Sequence, residues 1–198
     1  MLETVILARH GESAYSAQGL VNGDPSVSVP LTEKGRAEAR ALGEALRDRQ
    51  IDLCVTSDFE RAQETADEAL AGRDIPRLVV PELGDIRMGG FEGKTLEAYR
   101  AWAHVRPPDE VEPGGGESRV QALQRFLKGY AVVAARPERT VLVISHGLPI
   151  LYVLRAAEGH DPAASMGQAE YAHPYELTGD EFRRALARLE HWLLAPAW

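Results

Sequence analysis

The 198-residue chain carries 22 Lys and Arg against 30 Asp and Glu, a formal charge of −8, with 44% apolar and 26% charged residues. That balance supports one buried core and excludes general disorder, while the net acidity argues against nucleic acid or an anionic membrane as a partner. The lone cysteine, Cys54, excludes an intramolecular disulfide and a cysteine-based zinc site, and it fits a reducing, cytoplasmic setting.

No apolar run approaches the roughly 20 residues that span a bilayer. Met1-Leu2-Glu3-Thr4 shows neither the basic region nor the cleavage site of a secretory leader. Thr4 to Ala8 is short, apolar and β-branched, and reads as a buried strand ending in Arg9-His10-Gly11-Glu12. Gly11 to Leu31, with Pro25 and Pro30, reads as a long loop. Thr32 is a candidate cap for a helix whose Gly35, Ala39, Leu42 and Leu46 share one face. A second strand, Leu53 to Thr56, runs into Ser57-Asp58-Phe59-Glu60-Arg61; Asp58 is the expected cap of a helix bearing Ala62, Ala66, Ala69 and Leu70.

The segment 94–116 interrupts the rhythm with three prolines and Gly114-Gly115-Gly116, and is expected to be a lid over the sheet. Its glycine run lacks the Lys-Ser/Thr of a P-loop. A helix with Val120, Leu123, Leu127 and Tyr130 follows, then a strand, Val141 to Ile144, ending in Ser145-His146-Gly147. Thr178-Gly179-Asp180-Glu181 forms a capping box for the last helix. Short strands alternating with helices predict one α/β domain over 1–198: three layers, α/β/α, around a mainly parallel sheet, with the lid-like insert.

Chemistry points to the strand ends. In an open α/β sheet, ligands bind beyond the carboxyl ends of the strands. Two His-Gly steps stand there, with Arg9 and Arg61 beside them, and guanidinium groups near a helix N-terminus suit a phosphate dianion. Each residue alone has an ordinary structural reading; two His-Gly steps and two arginines at three strand ends are together hard to put down to coincidence. The chain offers neither a His-x-x-x-His spacing nor a carboxylate triad, so no metal and no cofactor is expected.

These blocks resemble the histidine phosphatase superfamily, also called phosphoglycerate mutase-like. Arg9-His10-Gly11-Glu12-Ser13 is similar to its signature, and Leu31-Thr32-Glu33-Lys34-Gly35 to its first-helix motif. Ser57 to Ala66 is similar to its second-arginine motif, Gly115-Gly116-Glu117-Ser118 to its step into the third helix, and Ser145-His146-Gly147 to its second histidine. The resemblance implies that His10 is the nucleophile, that Arg9, Arg61, His146 and Gly147 hold the phosphoryl group, and that Asp85 falls on the general-acid position. Glu82 and Glu92 compete with Asp85 for that role. Ser16 stands where the family commonly has a phosphate-binding asparagine, and Asn22 and Gly23 belong to a loop expected at the pocket mouth.

The implied activity is metal-independent hydrolysis of a small phosphorylated metabolite through a phosphohistidine. The alternatives are a phosphoglycerate mutase, whose arginine-rich insert is only faintly matched by Arg106-Pro107-Pro108, and a non-catalytic phosphate-binding module. The sequence leaves homo-oligomerisation open.

Overall fold

The apolar, β-branched runs become the middle of the sheet. A computed structural model describes all 198 residues. β1 (Thr4–Arg9), β2 (Leu53–Thr56) and β4 (Thr140–Ser145) lie parallel, with β4 central between the other two. β3 (Arg77–Val79) extends the parallel set beside β2, and β5 (Pro174–Thr178) closes the other edge antiparallel to β1, giving the order β3-β2-β4-β1-β5.

Side chains alternate across a strand, so each strand feeds two cores. Ile6, Ala8, Cys54, Leu142 and Ile144 face α1 (Glu33–Ala45) and α2 (Glu60–Ala69), meeting Leu42, Ala62 and Ala66. Val5, Leu7, Val55, Val141 and Val143 belong to the larger core on the other face. There they join Tyr99 of α3 (Leu96–Ala103), Phe126 of α4 (Arg119–Ala134), Ile150 of α5 (Gly147–Ala157) and Phe182 of α6 (Gly179–Trp192). Each fully buried large aliphatic contributes about 1.5–3 kcal/mol relative to exposure. Cys54 is one of these core residues, and burial pushes its thiol up to about 12.

Helix ends follow their caps. Thr32 accepts from the Gly35 amide at 3.0 Å, and Thr178 and Glu181 form the reciprocal box expected for α6. Asp58 does not cap α2. The helix starts at Glu60, with Phe59 at the cap position and no side-chain bond to the first turn, and Asp58 Oδ1 is buried without a partner. The Phe59 ring instead packs 4.6 Å from the His146 ring.

The segment 94–116 carries α3, whose Tyr99 and Ala103 pack into the larger core. Thr95 also bridges Leu20 of the long loop, so the two irregular segments brace each other. No helix is long and apolar enough to cross a membrane.

Candidate active site

Because β1 and β4 are parallel neighbours with Arg9 opposite Ser145, the next residue of each is a histidine. The His10 and His146 rings stand 5.1 Å apart, edge to face. Arg61, in the first turn of α2, reaches them from the end of β2. Its Nε–H donates to His10 Nε2 at 3.1 Å, and one Nη–H donates to His146 Nδ1 at 3.3 Å. The turn after β1 is pinned from behind by α1. A Cβ on Gly11 would lie 2.3 Å from the Gly35 carbonyl oxygen, and one on Gly35 would lie 2.0 Å from that of Glu12. Only paired glycines allow that backbone approach. Thr32 and Lys34 then hold the Glu12 carboxylate at 2.9 and 2.8 Å.

Hydrogen bonding sets the tautomers. His10 Nδ1–H donates to the Gly11 carbonyl at 2.7 Å, which leaves on Nε2 the lone pair that accepts from Arg61. Nδ1 of His146 accepts from Arg61, so its Nε2–H donates to Ser57 Oγ at 2.9 Å. Burial, then the charges of Arg61 and Arg9, hold His10 well below the usual imidazole range. Burial and Arg61 do the same for His146. Arg61 is lowered to about 10, chiefly by burial, and keeps its charge at neutral pH.

Asp85 enters from the loop after β3. Its Oδ1 accepts from the Ile86 amide at 2.9 Å, while Oδ2 stands 3.9 Å from Arg61 and 3.8 Å from His146 Nδ1. Burial pushes its carboxyl above the usual range, against the pull of Arg61. Glu92 instead ties the loop, accepting from the Gly23 amide at 2.8 Å and the Met88 amide at 3.2 Å. Glu82 does not reach the cleft; its Cβ lies near Gly129 of α4.

Sequence reasoning missed the group that holds Asp85 in place. Arg125 of α4 donates to the carbonyls of Glu82, Gly84 and Asp85 at 2.9, 3.0 and 2.8 Å, and forks onto Glu117 at 2.8 and 2.6 Å. Arg125→Met leaves three carbonyls and a partly buried carboxylate without their donor. A loss of about 2–4 kcal/mol in urea unfolding is expected, with Arg125→Lys recovering only part because it lacks the planar fork. An unchanged unfolding midpoint would show that the clamp carries no stability.

Ser16, Asn22, Gly23 and Gly147, also expected at the site, have the following surroundings. Ser16 lies on the cleft wall, but its hydroxyl donates to the Ser13 carbonyl at 3.0 Å and accepts the Ser13 amide at 2.7 Å, closing its own turn. Asn22 orients Arg61, accepting from it through Oδ1 at 2.6 Å and through its carbonyl at 3.0 Å. Gly23, expected at the pocket mouth, lies behind Asn22, where a Cβ would meet the Ile86 carbonyl oxygen at 2.1 Å. Gly147 opens α5 beside Arg9, its Cβ position 3.7 Å from Arg9 Nε.

Arg9 donates to the Ala169 carbonyl at 2.9 Å and stacks on Tyr171 at 3.9 Å, while its Nε is buried with no partner. Tyr171 and Gln168 complete the wall of the cleft beside His10. Nothing near them in the chain signals this; they arrive because residue 171 bridges to Arg9 beside the sheet. The arrangement joins a neutral nucleophilic nitrogen, fixed cations and a carboxyl biased toward its protonated form within one cleft.

A family model described as the histidine phosphatase superfamily (branch 1) matches residues 5–192. Over 170 residues the chain is 33% identical to an adenosylcobalamin/alpha-ribazole phosphatase of Salmonella typhimurium, covering 81% of each protein. It is 34% identical over 176 residues to a 2,3-bisphosphoglycerate-dependent phosphoglycerate mutase of Methylobacterium, covering 80% of this chain and 82% of that one. A solved mycobacterial glucosyl-3-phosphoglycerate phosphatase, complexed with VO3, superposes with a TM-score of 0.73 at 29% identity, over 88% of this chain and 92% of that one.

Proposed function

The chain belongs to the histidine phosphatase superfamily, and from that premise and the geometry of its cleft we propose that it hydrolyses small phosphomonoesters without a metal ion, through a phosphohistidine on His10. The observation that carries the reading is Arg61 bonded to both histidines, with the His10 lone pair and the Asp85 carboxyl facing one space.

In this reading the Nε–H that meets the His10 lone pair moves to a phosphoryl oxygen as the ester enters. Nε2 attacks phosphorus, the ester P–O bond breaks, and the departing oxygen takes the Asp85 proton. Arg9 and Arg61 hold the equatorial oxygens while their charge redistributes. As Arg61 turns to the ester, His146 takes its Nδ1–H tautomer and donates to the same oxygens, with the Ser57 hydroxyl now donating to Nε2. Asp85, now a carboxylate, takes a proton from water as that water attacks the phosphohistidine. The P–N bond then breaks, phosphate leaves and neutral His10 returns. The fixed charges here are guanidinium groups, and no set of three or more His, Cys, Asp or Glu side chains is grouped to hold a metal ion.

Phosphate release from p-nitrophenyl phosphate and from sugar and glycerate phosphates tests the reading. Turnover is expected to survive prolonged chelation and to be inhibited by vanadate, a mimic of five-coordinate phosphorus. A folded chain that releases phosphate from none of these esters overturns the enzyme reading. Activity lost to a chelator and restored by one dication overturns the metal-free one. The identity with a mutase relative warrants one further arm: transfer between phosphoglycerate hydroxyls faster than phosphate release would make the chain a mutase.

A further inference from the structure

Beyond Arg9 and Asp85 the cleft opens into a second chamber, partly open to solvent. About half of its lining is apolar, with Ile86, Leu148, Leu151 and Met166 among these residues. Its charge is not what the chain's −8 would suggest. Arg9, Arg100 and Arg119 line it, and the one carboxyl group on its lining, Asp85, faces Arg61 at 3.9 Å.

Arg119 is the informative side chain. It occupies the first position of α4, where the helix macrodipole disfavours a cation, and no acidic residue shares that first turn. The helix is already capped by Ser118 and Gln121, so Arg119 is not needed there. Its Nε is buried with no hydrogen-bond partner, and it makes no ion pair. The guanidinium lies 5.8 Å from the Tyr99 ring centroid, near the limit of a useful cation–π contact. Nearby, the Tyr152 hydroxyl is buried facing the Arg119 guanidinium, without a well-formed hydrogen bond to it. Stability alone would select against each of these features. Besides burial, the charges of Arg119 and Arg100 act on His104, which places both cations on the same chamber wall.

We propose that this chamber recognises a second anionic group, a carboxylate or a phosphate, carried on the alcohol portion of the phosphomonoester, with Arg119 as its main contact and Arg100 beside it. The proposal rests on the phosphatase reading and narrows its substrate class. Guanidinium forks match either anion, and the apolar residues beside them lower the local dielectric, which strengthens the contact. The phosphoryl group then sits on His10 and the second anion some distance down the cleft. That arrangement favours doubly anionic small metabolites over neutral sugar or glycerol monophosphates.

Matched esters test it. Glycerol 3-phosphate and 3-phosphoglycerate differ mainly in a hydroxymethyl against a carboxylate; propanediol monophosphate and bisphosphate give the second-phosphate arm. Whichever anion is recognised, kcat/KM for that ester is expected to exceed its neutral partner's by roughly 10- to 100-fold, the scale of a hydrogen bond to a charged group. Arg119→Gln should cut that ratio about tenfold or more, mainly through KM, and Arg119→Lys should restore part of it. Arg100→Gln, at the rim, is the second variant should Arg119→Gln fold poorly, and should reduce the ratio less. The preference should also shrink as salt is added. A carboxylate preference alone, or a phosphate preference alone, identifies the anion. Equal rates within both pairs overturn the proposal, as does a preference that survives Arg119→Gln and Arg100→Gln. Turnover of p-nitrophenyl phosphate in the same samples separates this failure from failure of the phosphatase reading.

Discussion

His10→Ala is expected to lower phosphate release from aryl and alkyl esters alike by roughly 10⁴-fold or more, the scale on which removing a covalent nucleophile acts in hydrolases. The loss is insensitive to leaving group because the step removed is bond formation to phosphorus. The fold should persist. The variant forfeits the bond from Nδ1 to the Gly11 carbonyl and leaves Arg61 Nε without its acceptor, a cost of about 1–3 kcal/mol. Thermal unfolding checks that the protein is intact. Rapid quenching of the wild-type enzyme with labelled substrate should trap an acid-labile, base-stable adduct mapped to His10. Since burial, Arg61 and Arg9 keep His10 neutral below the ordinary imidazole value of 6.5, the acid limb of kcat/KM should lie below that pH. Near wild-type turnover in a folded His10→Ala protein would sink the mechanism.

Asp85→Asn should separate esters by leaving group. An alkoxide of high pKa must be protonated as it departs, whereas nitrophenolate leaves unaided. Asparagine should therefore slow alkyl phosphates by roughly 10²–10⁴-fold and affect the p-nitrophenyl burst far less. The burst is the observable because in the proposed mechanism Asp85 also activates the water of the second step. Burial raises the Asp85 carboxyl above 3.8, so its protonated form is lost as pH rises through that raised value. With an alkyl ester, wild-type rates should decline on that limb and the variant's should not, the ester's own titration being common to both. Glu82→Gln and Glu92→Gln should show no leaving-group dependence. If Glu82→Gln shows it while Asp85→Asn does not, the acid is misassigned.

The central strands were legible because Val, Ile and Leu must cluster where both faces of a parallel sheet are covered. The edges were not. β3 has three residues, none of them buried, and in β5 only Leu177 is buried, so neither leaves an apolar run in the sequence. α3 was hidden inside a Pro- and Gly-rich segment whose composition outweighs eight helical residues. In the cleft, His10, His146 and Arg61 were readable since each follows a strand end. Arg125 and Tyr171 were not, because their roles depend on which distant backbone they meet. Arg119 left a partial signal, a cation directly after a Ser cap where an acid is usual. Ser16 and Gly23 were placed by position in a loop, but local turn bonding and backbone crowding decide what they touch.

The two ends of the cleft are built by separate stretches of chain. The end that holds His10 and Arg61 comes mainly from turns after β1, β2 and β4, locked to the sheet and to Gly35. The far wall comes mainly from α3, the start of α5 and residues 164–169, with Arg9 and Asp85 among the few side chains common to both. This division makes the molecule modular in an evolutionary sense. Exchanging 96–104 or 164–169 would change which alcohols are admitted while the reaction centre stays in register. Transplanted segments from relatives of different taste could therefore yield working chimaeras, whereas grafts at Gly11, Gly35 or Asn22 would disturb every substrate equally.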